Sequence, residues 1–540
     1  MPVLNNALGK LPGAFCFFFL AAWLTGCRPE PPADLTVING PDPGSLDPIQ
    51  VTGVEELRAV MPLFEGLTRP DPVSSQAVPA LAERWEISPT GLHYTFHLRT
   101  NAAWSTGEAI TSADLVYSWQ RVLEPTNACQ YASLLYPVQG AEDFAAGRRK
   151  DFAQVGVHAP DARTVEVTLD NPCPWFLDLC AFQTAAVVPR RAIERHGEQW
   201  IMRQPPFSGP YELDSWRIND RVRLRRNEHY WDAANTRSRL VDLLAISSPA
   251  TALNLYLGGQ ADVILDKPLV PTELLSELAN TPDYHTFPML GSYFVRLNVT
   301  HPPLNDPRVR RALALTVDKR RLVQRIAPSC FAADHLVPTA TANYLRGEGP
   351  HLDPELARRL LAEAGFPGGQ GFPKLTYLAD SSGGGGARMH ERVAVELQDT
   401  WRRELGIEIE IRTMEKKVYL VAQGKLDYDL SRSSWIGDYN DPNTFLDLFT
   451  SVNRNNRTGW TNAVYDRLLR DAGGEPDMAK RAMILRDAET LLVRDEATII
   501  PLWFEAGFTL NSPARVSGVH GNVLDLHPLN AMQRITYATK

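Results

Sequence analysis

Apolar residues recur along this chain at two spacings, and the spacing changes from segment to segment. "LTVING" opens as a strand, and "LHYTFHLR", "ARTVEVTL", "RVRLRRN" and "IEIEI" alternate apolar with polar positions as half-buried strands do. Between them the period lengthens. "TGVEELRAVMPLFEGL" offers Thr52 and Glu55 as a capping box, then Leu57, Val60, Phe64 and Leu67 at helical spacing, with a kink expected at Pro62. "TSADLVYSWQRVL" places Thr111 and Asp114 in capping positions. Asp306-Pro307 reads as N-cap and first helical residue of one helix over "RVRRALALTVDKRRLVQRI". Asp353-Pro354 does the same for "ELARRLLAEAG", which Gly365 should stop. Met389, Val393, Leu397, Trp401 and Leu405 recur every fourth residue and should line one buried helix face. The run from Phe366 to Gly386 reads as a glycine-rich loop. Strands and helices alternate without a fixed-period repeat, which predicts an α/β fold with mixed sheets.

The N-terminus has a different character. Lys10 is the one charged side chain before an apolar run from Leu11 to Leu24, too short to span a bilayer, which takes about 20 apolar residues. The run ends in "LTGC", and a small-residue site closing on cysteine resembles a bacterial lipoprotein signal with Cys27 as the lipidated first residue; an ordinary secretory signal is the alternative. Proline-rich "RPEPPAD" then reads as a tether. The chain of 540 residues is too long for one core, so two or three domains are expected. A net charge of -8 and a pI near 5.9 give no support to nucleic-acid binding. Of six cysteines, Cys129, Cys173, Cys180 and Cys330 are neither in the leader nor at its end. Export permits a disulfide, and Cys173 with Cys180 could close a small loop; two buried thiols on one helix is the other reading.

Searches for catalytic and metal motifs return little. The four glycines at 383–386 precede "ARMH", which lacks the Lys-Ser/Thr of a phosphate loop. "HERVA" lacks the second histidine of a zinc-protease helix, no G-x-S-x-G elbow occurs, and no CxxC spacing marks a metal. "WIGDYNDP", residues 435–442, sets two acidic and two aromatic residues around a glycine after strand-like "LDYDLSRSS". Turn chemistry with a helix cap at Asp441 explains part of it. A carboxylate held for a positive ligand group would explain the rest.

Several stretches together resemble the oligopeptide-binding proteins of ABC importers, the peptide/nickel-type extracellular solute-binding proteins. They include "GSLDPIQVTGVEELRAVMPLFEGL", "PALAERWEISPTGLHYTFHLRTNAAWSTGEAITSADLVYSWQRVLEP", "SGPYELDSWRINDRVRLRRNEHYWD", "SYFVRLNVTHPPLNDPRVRRALALTVDK" and "WIGDYNDPNTFLDLF". The resemblance implies a bilobal periplasmic-binding-protein-like α/β fold of the large three-domain type, closing by a hinge. Lobe I would combine residues 34–64, 191–289 and 505–540, with residues 65–190 as an inserted second domain; lobe II would be 290–504. The implied function is a lipid-anchored, monomeric extracytoplasmic receptor, at the periplasm or cell surface, that passes short peptides to an ABC permease without turnover or cofactor.

By the same resemblance Asp438 pairs with the α-ammonium of a bound peptide, Trp435, Gly437 and Val54 flank it, and Tyr131 meets its N-terminal end. Thr52 stands beside the ammonium where some relatives carry a glutamate. His390 and Arg432 match two of the basic groups that meet peptide C-termini, whereas Ala327 and Gln423 stand where a lysine and an arginine would be. Lys416 replaces an aromatic, and Gly291 and Ile436 occupy the places of two bridged cysteines. These departures leave other solutes open, among them dipeptides, oligosaccharides, nickel and haem, and a secreted hydrolase as a more distant reading.

Overall fold

A computed structural model of the protein describes residues 30–380 and 385–535, so the leader and Cys27 lie outside the described residues. Four strands frame the site: β1 (Tyr284–Leu297), β2 (Leu375–Asp380), β3 (Leu430–Ile436) and β4 (Ile499–Asn511). They belong to an eleven-stranded mixed sheet in which β1 and β4 pair antiparallel along nearly their whole length. On one side of that pair the sheet continues through β3, β2 and Ile409–Met414. On the other it continues through Val263–Ile264, Leu35–Gly40, Leu240–Ala245, Arg221–Arg226 and Tyr211–Arg217.

Each half buries its own side chains. Val295, Leu313, Val393, Leu397, Trp401 and Leu405 pack on one face of the β1–β3 side, and Phe294, Leu446, Phe449 and Tyr465 pack on the other. The opposite half is built on Val37, Leu63, Trp200 and Val241. Against it sits a four-stranded antiparallel sheet whose core holds Phe96, Trp119, Val165 and Phe176. The molecule is therefore bilobal, and β1 and β4 run through both lobes. Their register runs from Tyr284↔Leu510 to Pro288↔Ala506, breaks, and resumes at Ser292↔Phe504. Met289, Leu290 and Gly291 thus oppose the single residue Glu505. A bulge of this kind bends a strand and re-aims its side chains. Here the Leu290 N–H turns away to the Val523 carbonyl at 2.6 Å.

Most local signals hold. The Thr111 N–H donates to Asp114 at 2.8 Å ahead of helix Ser112–Leu123. Asp306 and Asp353 cap their helices through side-chain oxygens. The predicted apolar face of helix α1 (Gly385–Leu405) is buried from Val393 to Leu405, with Met389 packed against it. Gly365 takes a φ of +99° at the end of its helix, a backbone shape that costs glycine nothing.

Other expectations need correction. The capping residues near 52 are one place further on: Gly53 is the N-cap, and Glu56 accepts from the N–H groups of Thr52 and Gly53, both at 3.0 Å. That helix ends at Val60, so Pro62 follows it rather than kinking it. The helix after Asp306 is two, Pro307–Leu315 and Lys319–Ile326, because Asp318 captures the Arg321 N–H and caps a second start. The supposed loop 366–386 contains β2, a strand buried at five of six positions and therefore without visible alternation. Cys173 and Cys180 are unbridged buried thiols: Cys180 closes helix Phe176–Cys180 and both enter the apolar core.

Candidate functional site

The first four residues of β3 are buried, and exposure alternates from Ser434 onward. Ser434, Ile436 and Asp438 are open, while Trp435 and Gly437 are partly covered. Gly437 determines how the row ends. Its N–H donates to the Leu290 carbonyl at 2.7 Å, and a Cβ there would lie 2.6 Å from Leu290 Cδ2 and 2.9 Å from Thr444 Cγ2. Glycine is required by this close approach, which sets Asp438 at the strand's end. The Asp438 N–H is anchored by Thr444 Oγ1 at 3.1 Å.

The Asp438 carboxylate has no ion-pair partner and no side-chain hydrogen bond among the described residues. The surrounding protein still restricts its hydration, and burial raises its pKa above the ordinary carboxylate value. Tyr131 comes from the opposite lobe. Burial, and after it the negative charge of Asp438, raises the Tyr131 hydroxyl pKa, which places the two side chains within electrostatic reach of one another. The Tyr131 ring leans on Phe182 at 5.1 Å. Val54, 48% exposed, and Thr52, also exposed, sit at the start of helix Val54–Val60. Trp435 packs beside the Phe294 core with its indole nitrogen unbonded.

The basic candidates do meet, but on a protein carboxylate. Arg432 Nε donates to Asp380 Oδ1 at 2.6 Å and its Nη1 donates to Ser434 Oγ at 3.2 Å. His390 Nδ1 is 3.0 Å from the Tyr293 hydroxyl, and its Nε2 is 3.9 Å from the same Asp380 oxygen. All three are buried, at 6% for Arg432, 8% for His390 and 1% for Asp380. Asp380 ends β2, inside the stretch that the sequence presents as loop, and so escapes a reading by motif. The neutral positions are interior too. Gln423 donates to the Tyr419 hydroxyl and Ser431 and accepts from Arg457, and Ala327 closes helix Lys319–Ile326.

Asp441 is structural. It holds Arg481 bidentately at 2.7 and 2.8 Å with both side chains buried, and it accepts from the Asn443 N–H at 2.9 Å. Trp175, packed against the core of the four-stranded sheet, stacks on Tyr439 at 5.0 Å and 7°, joining the lobes beside Asp438. Gly291 and Ile436 are direct register partners, with Ile436 Cδ1 2.7 Å from where a Gly291 Cβ would lie. Among the described residues no group of histidine, cysteine and acidic side chains could hold a metal ion.

The chain is similar to proteins of known function over nearly its whole length. It is 34% identical to the probable deoxycholate-binding periplasmic protein YgiS of Escherichia coli strain K12, across 88% of this chain and 90% of that one. It is 33% identical to the periplasmic oligopeptide-binding protein OppA of Salmonella typhimurium, across 88% of each. The murein tripeptide-binding protein MppA, in its unliganded open form, superposes with a TM-score of 0.84 at 30% identity, covering 93% of this chain and 97% of that one. Residues 76–457 match the middle region that defines family 5. The chain belongs to the bacterial extracellular solute-binding proteins of family 5.

Proposed function

We propose that this protein is an extracytoplasmic receptor that binds short peptides between its two lobes and delivers them to an ABC permease, without chemical turnover. The observation that carries this reading is Asp438: an unpaired, partly desolvated carboxylate at the end of a cleft-facing strand row, opposite Tyr131 of the other lobe. Every peptide has one α-ammonium, so a fixed carboxylate sets register without reading sequence. The open edge of the row supports strand-like pairing with a peptide backbone. Six residues separate Arg432 from Asp438, a Cα span of about 20 Å at ~3.3 Å per residue, and an extended peptide of about five residues covers it. Thr52, Val54, Trp435 and Gly437 form the walls of the ammonium end; Arg432 and His390 lie at the carboxylate end.

The similarity to an open unliganded receptor supports a further closing of the lobes on ligand, beyond the Trp175–Tyr439 contact that already joins them. The register break of β1 against β4 supports a division of the lobes near residues 290 and 504, and the separate four-stranded sheet supports residues 65–190 as an inserted domain. Attachment through lipid on Cys27 and a monomeric state belong to the same proposal. Native mass spectrometry of protein purified without refolding should show co-purified peptides, and mixed peptides should stay intact while raising Tm. Loss of a fatty-acid label on Cys27→Ser tests the anchor.

The similarity to YgiS raises a second reading, an amphipathic acid such as a bile acid. Ile436 and Val54 would suit its apolar body. Asp438 would repel its carboxylate, which is why peptide is preferred. Deoxycholate that raises Tm while peptides do not would reverse that order.

A further inference from the structure

Glu505 is the one β4 residue facing the bulge in β1. It shares a face of the sheet with Gly291 and Ile436. A Cβ at Gly291 would lie 2.9 Å from Glu505 Cβ and 2.7 Å from Ile436 Cδ1, so the missing side chain leaves a notch in which the glutamate stands. Ile436, 47% exposed, carries that face on toward Asp438. Around Glu505 are Cys330, whose Sγ donates to Oε2 at 3.7 Å, and, further off, Lys267 and Arg432.

Neither cation satisfies it. Arg432 is engaged by Asp380, and Lys267 Nζ donates to Ser329 Oγ at 2.9 Å. Among the described residues no positive group lies within ion-pair distance of Glu505. Burial, the largest influence, raises its pKa above the ordinary value in spite of Trp503, Cys330 and the two distant charges. A half-buried carboxylate without a cationic partner is costly in a protein that gains nothing from it.

We propose that Glu505 is a second cation-recognising carboxylate of the ligand cleft, selecting peptides with a lysine or arginine at the second or third residue. This rests on the peptide-receptor reading above. The spacing is suitable. From Asp438 to Glu505 is two residues along the strand and two strands across, about 12 Å at ~3.3 Å per residue and ~4.8 Å per strand. With the α-ammonium on Asp438, a long basic side chain from the second or third residue of an extended peptide spans that distance.

The test uses the whole folded protein and tetrapeptides Ala-Lys-Ala-Ala and Ala-Ala-Lys-Ala, each against its counterpart with norleucine, which keeps the alkyl stem and removes the charge. Wild type should favour lysine in at least one pair by about tenfold, the scale of one desolvated ion pair. Glu505→Gln should bring that ratio close to one. Equal binding of lysine and norleucine peptides by wild type overturns the proposal. So does a Glu505→Gln variant that weakens both members of a pair alike and keeps the ratio. If no peptide binds at all, tetra-alanine included, the receptor reading itself fails and takes this one with it.

Discussion

Arg432 donates from Nε to Asp380 at 2.6 Å, in a pair with side-chain exposures of 8% and 0%. The cation that a peptide C-terminus would meet is thus already neutralised by the protein, and His390 lies 3.9 Å from the same carboxylate. Removing one member of such a pair leaves the other buried and uncompensated, so Asp380→Asn should cost about 3–5 kcal/mol of stability. It should also free Arg432 for ligand. Calorimetry with a peptide and its C-terminal amide is the check: the preference for the free acid should grow in the variant, and an unchanged preference would remove Arg432 from the site.

Asp438 gives opposite signs for stability and binding. In the unfolded chain it titrates as an ordinary aspartate; in the fold its pKa is raised by burial. The folded state therefore binds that proton more readily, and the ionised carboxylate opposes folding increasingly as pH rises from the unfolded pKa through the folded one. The cost is absent below the unfolded pKa and complete once the pH has passed the folded one. Asp438→Asn should accordingly raise the Tm of ligand-free protein at pH 7, with the difference from wild type vanishing near pH ~3. Peptide affinity should move the other way, falling by roughly 2–5 kcal/mol in the closed, desolvated complex. N-acetylated peptides should bind wild type as poorly. Acetylation without effect would end the ammonium reading.

Gly437→Ala isolates placement from charge. The added Cβ meets Leu290 Cδ2 at 2.6 Å and Thr444 Cγ2 at 2.9 Å, inside a packed region. Overpacking of this kind costs about 1–3 kcal/mol, and here it displaces the strand end that carries Asp438. Denaturant melts should show the stability loss, and peptide titration should show an affinity loss beyond it. A variant that loses stability but keeps its affinity would mean that Asp438 does not depend on this contact.

Four thiols should be countable in a mature chain whose Cys27 is lipidated. Burial raises the pKa of Cys173 and holds Cys180 well above the ordinary thiol value. Burial raises that of Cys330 as well, to about 12, so none of the three should react readily in the native protein. Thiol counting under denaturing, non-reducing conditions should find all four, and a count of two would restore the bridge.

Short-range chemistry made part of this protein readable from its residues alone. Asp353-Pro354 and Thr111 with Asp114 start helices because a side-chain oxygen and a free N–H lie within a turn of each other. The four-residue rhythm from Met389 to Leu405 fixed which face of α1 is buried. "WIGDYNDP" drew attention as a candidate site through its resemblance to relatives, and the structure adds the reason for its glycine. Which side chains stand beside one another emerged only from the folded chain. Asp380 is 52 residues from Arg432 and ends a strand with no alternation to betray it, since both faces are covered. Glu505 is 69 residues from Ile436, and no local pattern marks a residue that matters because β1 bulges opposite it. Even the division of one apolar helical run into two turned on a single Asp318 side chain reaching the Arg321 N–H. Local periodicity selects elements, but the partners of a charged side chain are set by sheet order and register. Those are fixed only when the whole chain has closed its cores.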